Sequence, residues 1–222
     1  MSGDATVDGL RELPTATISD ALDRLAIAGQ CLGIAPLDPK FRLCGRAFTL
    51  RYRPTGAVER GNVGDYIDDV PPGGIVVLDN AGRLDCTVWG DILTAVSHRR
   101  GVGGTVIHGV CRDVSRALDL GYPIFSRGRY MRTGKDRVEV ESQGAPISLG
   151  EVQIRPGDIL VGDADGILVV PAIDEAQVLD TAREIEEAEQ AIERETAKGT
   201  RLDEARRVFR YHQLQTRTEG QP

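Results

Sequence analysis

The sequence predicts an α/β fold built on a parallel sheet, and three observations carry that expectation. Between residues 74 and 126, short apolar runs alternate with helical segments in the order strand–helix–strand–helix–strand, a pattern that buries a parallel sheet under helices. Beyond residue 135 the chain breaks into short strands separated by Gly, Pro and Asp turns. A long amphipathic segment then runs from Asp174 to Lys198. A chain of 222 residues fits one large domain whose core needs no disulfides. The expected division is residues 1–172 as the domain, N-terminal helix included, and 173–222 as a helical arm on the same domain or a neighbouring subunit.

Taken in order, Leu10 and Leu13 open a helical pattern that leads into Pro14-Thr15-Ala16-Thr17, where a threonine can cap the next helix. Ile18, Ala21, Leu22 and Leu25 recur at helical spacing, and Gly29 and Gly33 are placed to end that helix. Residues 44–53 alternate like a half-buried strand. Gly74 to Asp79 is a continuous apolar run typical of a buried strand. Asp91 to His98 reads as a helix broken by Gly101-Val102-Gly103-Gly104, and Thr105 to Val110 as the next strand. A helix from Val114 to Leu120 stops at Gly121, and Pro123 to Ser126 is a further strand. Short strands follow at Val138–Val140, Ile147–Leu149, Val152–Ile154, Ile159–Gly162 and Ile167–Val170. The Asp163-Ala164-Asp165-Gly166 segment reads as a hairpin turn, with too few oxygen ligands for an EF-hand. On the last helix Val178, Leu179, Ala182, Ile185, Ala188 and Ile192 form an apolar stripe opposite a glutamate-rich face, and the tail after Thr216 is polar.

Composition narrows the function. A net charge of −7 without a long Lys/Arg block argues against nucleic acid as a partner. No apolar stretch is long enough to cross a membrane, and the start Met-Ser-Gly-Asp carries a charge where a leader would be apolar, so a cytoplasmic protein is expected. Four widely spaced cysteines, none in a Cys-x-x-Cys pair, fit buried reduced thiols. His98, His108 and His212 lack metal-ligand spacing. His108 reads as a core histidine and Trp89 as a packing anchor.

Two half-sites stand out. Gly90-Asp91-Ile92-Leu93 lies in the turn entering a helix, whose first N–H groups have no internal partner and whose dipole favours an anion. Asp91 there is a helix-start carboxylate or a ligand. Arg112-Asp113 follows a strand, beyond whose carboxyl end ligands collect in a parallel sheet. An aspartate suits a hard cation such as Mg²⁺, and the arginine fork suits a carboxylate. A plain surface salt bridge remains the other reading of that pair. Twenty residues separate Asp91 from Arg112, giving an Asp-x20-Arg-Asp pattern.

That pattern sits within Trp89 to Leu93 and Gly104 to Asp113. Further matches are Thr15 to Leu22, Gly45-Arg46-Ala47-Phe48-Thr49, Gly121 to Phe125, Arg155-Pro156-Gly157-Asp158 and Asp163 to Pro171. On these motifs, across residues 10–200, the chain resembles the family joining class II 4-hydroxy-4-methyl-2-oxoglutarate and 4-carboxy-4-hydroxy-2-oxoadipate aldolases to the regulator of ribonuclease E activity A. The resemblance implies a swivelling β/β/α domain assembled as trimers or hexamers with sites between subunits. It implies Asp113 as the Mg²⁺ or Mn²⁺ ligand, Arg112 as substrate-binding, and Gly90 to Leu93 as the cradle for the carboxylate of a small 2-oxo acid. It further implies a lyase that stabilises a pyruvate enolate, with oxaloacetate decarboxylation as a companion activity. Asp20, and one of Glu184, Glu187 or Glu189, are the candidate acids reaching a neighbouring site, with Glu187 foremost. The regulator branch offers the other reading, a non-catalytic protein that binds a ribonuclease or another partner. The intact Asp-x20-Arg-Asp pattern and the acidic C-terminal helix favour the enzyme. A methyltransferase is disfavoured, because Leu78 to Arg83 is no nucleotide loop.

Overall fold

The computed structural model describes residues 3–56 and 63–214. Its centre is a mixed sheet in the order β1 (Ala35–Pro36), β5 (Ile124–Arg129), β4 (Gly104–Cys111), β3 (Ile75–Thr87), β2 (Leu43–Pro54), β9 (Ile159–Asp163) and β10 (Gly166–Val170). Strands β2, β3, β4 and β5 are parallel to one another, the core expected from the alternating pattern. β6 (Val138–Gln143) pairs antiparallel with the second half of β2, while the first half of β2 pairs antiparallel with β9. β2 is therefore shared between two sheet segments. That explains why its first half is buried on both sides, against the half-buried alternation expected.

Helices α3 (Asp91–Arg99) and α4 (Val114–Leu120) cover one face, where Val76, Leu78, Ile107, Cys111, Trp89 and Tyr122 pack. Burial of such side chains stabilises by about 1.5–3 kcal/mol each. The other face packs Ile75, Val77, Val106 and Phe125 against the hairpin of β7 (Ile147–Leu149) and β8 (Val152–Ile154). A third apolar layer lies at the β9–β10 end. There α1 (Ala5–Arg11), α2 (Thr15–Arg24) and α5 (Glu175–Ala197) bury Leu10, Ile18, Leu22, Val178, Ala182 and Ile185 together. The C-terminal helix thus docks its apolar stripe on α1 and α2 of its own chain.

Three local expectations are corrected. α2 ends at Arg24, before either glycine, because Ala26 turns left-handed with φ 57°. Gly29 serves packing instead, since a β-carbon there would stand 2.3 Å from the Val169 carbonyl oxygen. No threonine caps α2. Pro14 is its N-cap, and Asp163, from the β9–β10 turn, accepts both the Thr15 N–H (3.0 Å) and the Thr15 hydroxyl (2.7 Å). Finally, β3 continues from the apolar run through polar residues to Thr87, with register shifts near Asp79 and Arg83. The expectation for the tail after Thr216 lies outside the described residues.

The expected hairpin turn at 163–166 is present, the four cysteines are buried and unpaired, and no described helix is long and apolar enough to cross a membrane. Burial pushes the Cys44 thiol up to about 11, so it stays protonated near neutrality.

Candidate active site

Both half-sites fall at the carboxyl ends of β3 and β4, where a parallel sheet collects ligands. β3 feeds the turn Val88-Trp89-Gly90 into α3, and β4 feeds Arg112-Asp113 into α4. A backbone bond ties the two turns together, the Arg112 N–H donating to the Trp89 carbonyl at 3.1 Å. Trp89 is the anchor expected. It is buried, stacks on Tyr122 with ring centroids 6.2 Å apart, and donates its indole N–H to the Thr94 hydroxyl at 2.9 Å. That hydroxyl in turn donates to the Gly90 carbonyl, which pins the first turn of α3.

The fold brings Asp91 and Asp113 together across the intervening residues. The Asp91 N–H donates to Asp113 Oδ2 at 3.2 Å, and Arg112 Nε lies 3.3 Å from the same oxygen. The Ile92 N–H donates to Asp91 Oδ1 at 2.8 Å. The amides expected to cradle a substrate carboxylate therefore meet protein carboxylates here, so the start of α3 does gather anions. Gly90 leaves room for the site side chains, and nothing in its conformation requires glycine. Its φ of −150° is open to any residue, but a β-carbon would stand 2.8 Å from Asp113 Oδ2 and 3.3 Å from Arg112 Nε.

The Arg112–Asp113 contact is also the salt bridge of the plainer reading. Both side chains are about two-fifths exposed, and an exposed pair of this kind contributes about 1 kcal/mol or less. Yet Asp113 adopts a left-handed backbone, φ 55° and ψ 40°, which costs a non-glycine residue about 1 kcal/mol or more.

Val88, Trp89, Gly90, Leu93, Arg112 and Lys135 line a cleft of about 630 Å³ that contains Asp91 and extends along α3. Among the described residues no three His, Cys, Asp or Glu side chains converge into a cation cage. The ligand expected from the sequence is one carboxylate, Asp113, with Asp91 beside it. It fits an ion such as Mg²⁺, which keeps several waters and takes one or two carboxylates plus substrate oxygens.

Asp20 and Glu187 do not line this cleft. They lie on α2 and α5, in the layer at the β9–β10 end. Glu184 pairs there with Arg24 at 2.8 Å. Glu189 shares the buried Thr17 hydroxyl with Glu186, and its pKa is raised by burial, then by the charges of Asp20 and Glu186. His108 is the satisfied histidine expected, its Nδ1 lying 3.3 Å from Asp79 Oδ1. The short 3-10 turn Asp65–Asp69, which forms one wall of the cleft, went unread in the sequence. Its Tyr66 and Ile67 are buried, but an apolar pair among aspartates carries no periodic signal.

A family model described as RraA-like, Aldolase/RraA, matches residues 15–169. The chain belongs to the RraA-like family. It is 40% identical over 201 residues to Protein DlpA of Legionella pneumophila, which covers 90% of this chain but only 33% of that protein. The chain thus spans about a third of the length of that relative. It is 35% identical to a provisionally named 4-hydroxy-4-methyl-2-oxoglutarate aldolase of Halalkalibacterium halodurans, over 83% of this chain and 85% of the other. Among solved structures it is similar to an uncharacterized protein of Pseudomonas syringae pv. tomato, with TM-score 0.86 and 41% identity over 92% of this chain and 98% of that one. It is also similar to Streptomyces coelicolor RraAS2, described as an unusual member of the RNase ES inhibitor RraA family. There the TM-score is 0.78 and identity 28%, over 85% and 95% of the two chains. The RraA-like fold expected from the motifs is the fold observed.

Proposed function

We propose that this chain is a lyase that cleaves a carbon–carbon bond of a small 2-oxo acid and releases pyruvate. The observation that carries this reading is the convergence of Arg112 and the start of α3 on one cleft, with the Asp113 carboxylate held against both, by the Asp91 N–H and beside Arg112 Nε. The aldolase name of the Halalkalibacterium relative supports the same class. In such a reaction the bond between C3 and C4 breaks, and its electron pair moves into the pyruvyl unit, leaving negative charge on the C2 oxygen. The C4 hydroxyl becomes a carbonyl and gives up its proton; in oxaloacetate, carbon dioxide leaves instead. A proton added at C3 completes pyruvate.

The residues divide this work. Arg112 offers a planar fork to the substrate carboxylate and holds the 2-oxo acid in register. The Asp91 N–H, which donates to Asp113 here, would be free to meet the substrate carboxylate at the start of α3 if Asp113 instead held a cation. Asp113 would hold a divalent ion, Mg²⁺ or Mn²⁺, which would supply Lewis-acid stabilisation of the oxygen where charge develops. Asp91 lines the cleft and is the carboxylate at hand to accept the C4 hydroxyl proton. The buried Val88 and Trp89 form a dry floor that strengthens each of these interactions. Asp20 and Glu187 can contribute only from a second subunit, in the trimer or hexamer that the family resemblance implies.

The test is pyruvate release from oxaloacetate and from 4-hydroxy-2-oxo acids, in Mg²⁺ and again in EDTA. Metal-dependent release supports the lyase. Failure with every substrate would favour the second reading, a regulator that binds a ribonuclease or another protein, which the likeness to Streptomyces RraAS2 supports.

A further inference from the structure

Positive charge in this acidic chain is concentrated in one place. Five cations, Arg127, Arg129, Arg132, Lys135 and Arg137, fall within eleven residues against a single acid, Asp136, in a chain of net charge −7. All five are exposed. The segment leaves β5 and crosses the carboxyl ends of β4 and β3 on its way to β6. Arg129 stands beside Cys111 in register, and the Tyr130 N–H donates to the Cys111 carbonyl at 2.9 Å, one residue before Arg112. The Thr87 N–H then donates to the Arg132 carbonyl at 3.0 Å, and Thr133 bridges to Thr87. Gly134 presses the segment onto β3, since a β-carbon there would run into the Thr87 carbonyl oxygen. Thr133 and Lys135 reach the wall of the cleft itself. The partners that hold three of these cations are neutral and leave their charge in place. Arg127 donates to the Gly82 carbonyl at 3.2 Å, Arg137 donates to the Thr133 and Lys135 carbonyls at 3.3 and 3.2 Å, and Arg132 lies 5.9 Å over the Tyr130 ring. Asp65, Asp68 and Asp91 line the same cleft, and each has a partner of its own, Asp68 in Arg100 at 3.5 Å and Asp91 in the Ile92 N–H at 2.8 Å.

We infer that this basic segment is an electrostatic collar for the cleft, which draws anionic 2-oxo acids toward Arg112 by charge acting over distance and not by contact. The inference rests on the proposed reading of the Arg112 end as the 2-oxo acid site. Fixed charges of one sign around a cleft raise the local concentration of the opposite ion. The effect fades as salt shortens the screening length, from about 30 Å at 0.01 M to about 10 Å at 0.1 M. An acidic chain needs such a local reversal of sign, because its net charge of −7 otherwise repels an anionic substrate.

Binding tests this without depending on turnover. Trp89 lines the cleft and is the chain's only tryptophan, so its fluorescence reports what binds there. Pyruvate would be titrated in Mg²⁺ at ionic strengths from about 0.01 M to about 0.5 M, with calorimetry as a second measure of affinity. The double variant Arg129→Glu, Arg132→Glu should bind pyruvate about tenfold more weakly than wild type at the lowest salt, and the two should converge at the highest. Arg129→Lys with Arg132→Lys keeps both charges, removes the guanidinium forks, and should bind as wild type does. Arg155→Glu reverses an exposed charge in the turn between β8 and β9 and should have little effect. The inference falls, while the 2-oxo acid site stands, if the glutamate double variant keeps wild-type affinity at low salt. It falls equally if the lysine double variant or Arg155→Glu weakens binding as much. If wild type binds no pyruvate by either measure at any salt, the collar and the 2-oxo acid site fall together.

Discussion

Asp113 combines an unfavourable backbone with an exposed carboxylate, and this dictates how its role must be tested. Alanine, the obvious replacement from the sequence, tolerates a left-handed φ poorly, so Asp113→Ala would confound lost chemistry with added strain. Asparagine tolerates that conformation and keeps the shape. Asp113→Asn should therefore lower metal-dependent pyruvate release by about 100-fold or more, the scale of losing a charge-stabilising group, with little change in melting temperature. Comparable loss of both would make Asp113 structural. Gly90→Ala is the complementary probe. Its added methyl would push on Asp113 and Arg112 without straining the backbone, so KM for the 2-oxo acid should rise about tenfold, the displacement cost of one good contact, in a normally folded protein. Arg112→Lys should fail similarly, because a point charge cannot reproduce the fork. At this scale the sequence was informative. Asp-x20-Arg-Asp named the residues that meet, because Arg112-Asp113 follows directly on the apolar run of β4 and Asp91 opens the helix that follows β3. It was silent on the left-handed turn at Asp113, since nothing in Cys-Arg-Asp-Val forbids an ordinary helix start.

At the scale of elements, the least legible feature is Asp163, which reads locally as a turn residue and acts as the N-terminal cap of a helix 148 positions away. Burial raises its pKa, but the Thr15 hydroxyl and N–H, the Asp165 N–H and Arg42 outweigh that and hold it below 3.8. Its ionised form is therefore favoured by folding. That stabilisation is fully present above the unfolded pKa and is lost as pH falls through the lower folded value. Asp163→Asn should cost about 1–3 kcal/mol near neutrality, because Thr15 loses a charged acceptor in a buried setting. The gap in melting temperature between wild type and variant should be constant from about pH 6 to 8 and should close below about pH 4. A gap that persists in acid would show that the carboxylate's charge is not what matters. The same scale explains the misjudged ends. β3 was legible where it is apolar and invisible from Asn80 to Thr87, where polar residues extend it past two register shifts into the site. Helix α2 stops at a left-handed alanine that no composition rule marks.

For the whole molecule, the question is why an acidic chain presents carboxylates on two separate layers. The cleft lies at the carboxyl ends of β3 and β4, whereas Asp20, Glu186, Glu187 and Glu189 lie on α2 and α5, packed over β9 and β10. Long-range placement of this kind depends on how β2 joins two sheet segments, which pattern reasoning along one chain does not reach. Within one chain these acids lie away from the cleft where Arg112 is proposed to hold the substrate. Any part they play in chemistry must cross a subunit boundary, and subunit mixing tests this directly. Asp113→Asn and the double variant Asp20→Asn, Glu187→Gln should each be nearly inactive alone. Dissociated and reassembled together, they should recover a measurable share of wild-type turnover, since some sites would then combine an intact cleft with an intact neighbouring helix. An active double variant would remove these acids from the mechanism. Two inactive variants that regain nothing on mixing, in oligomers shown to exchange subunits, would place them in the same chain's work and contradict the separation of layers.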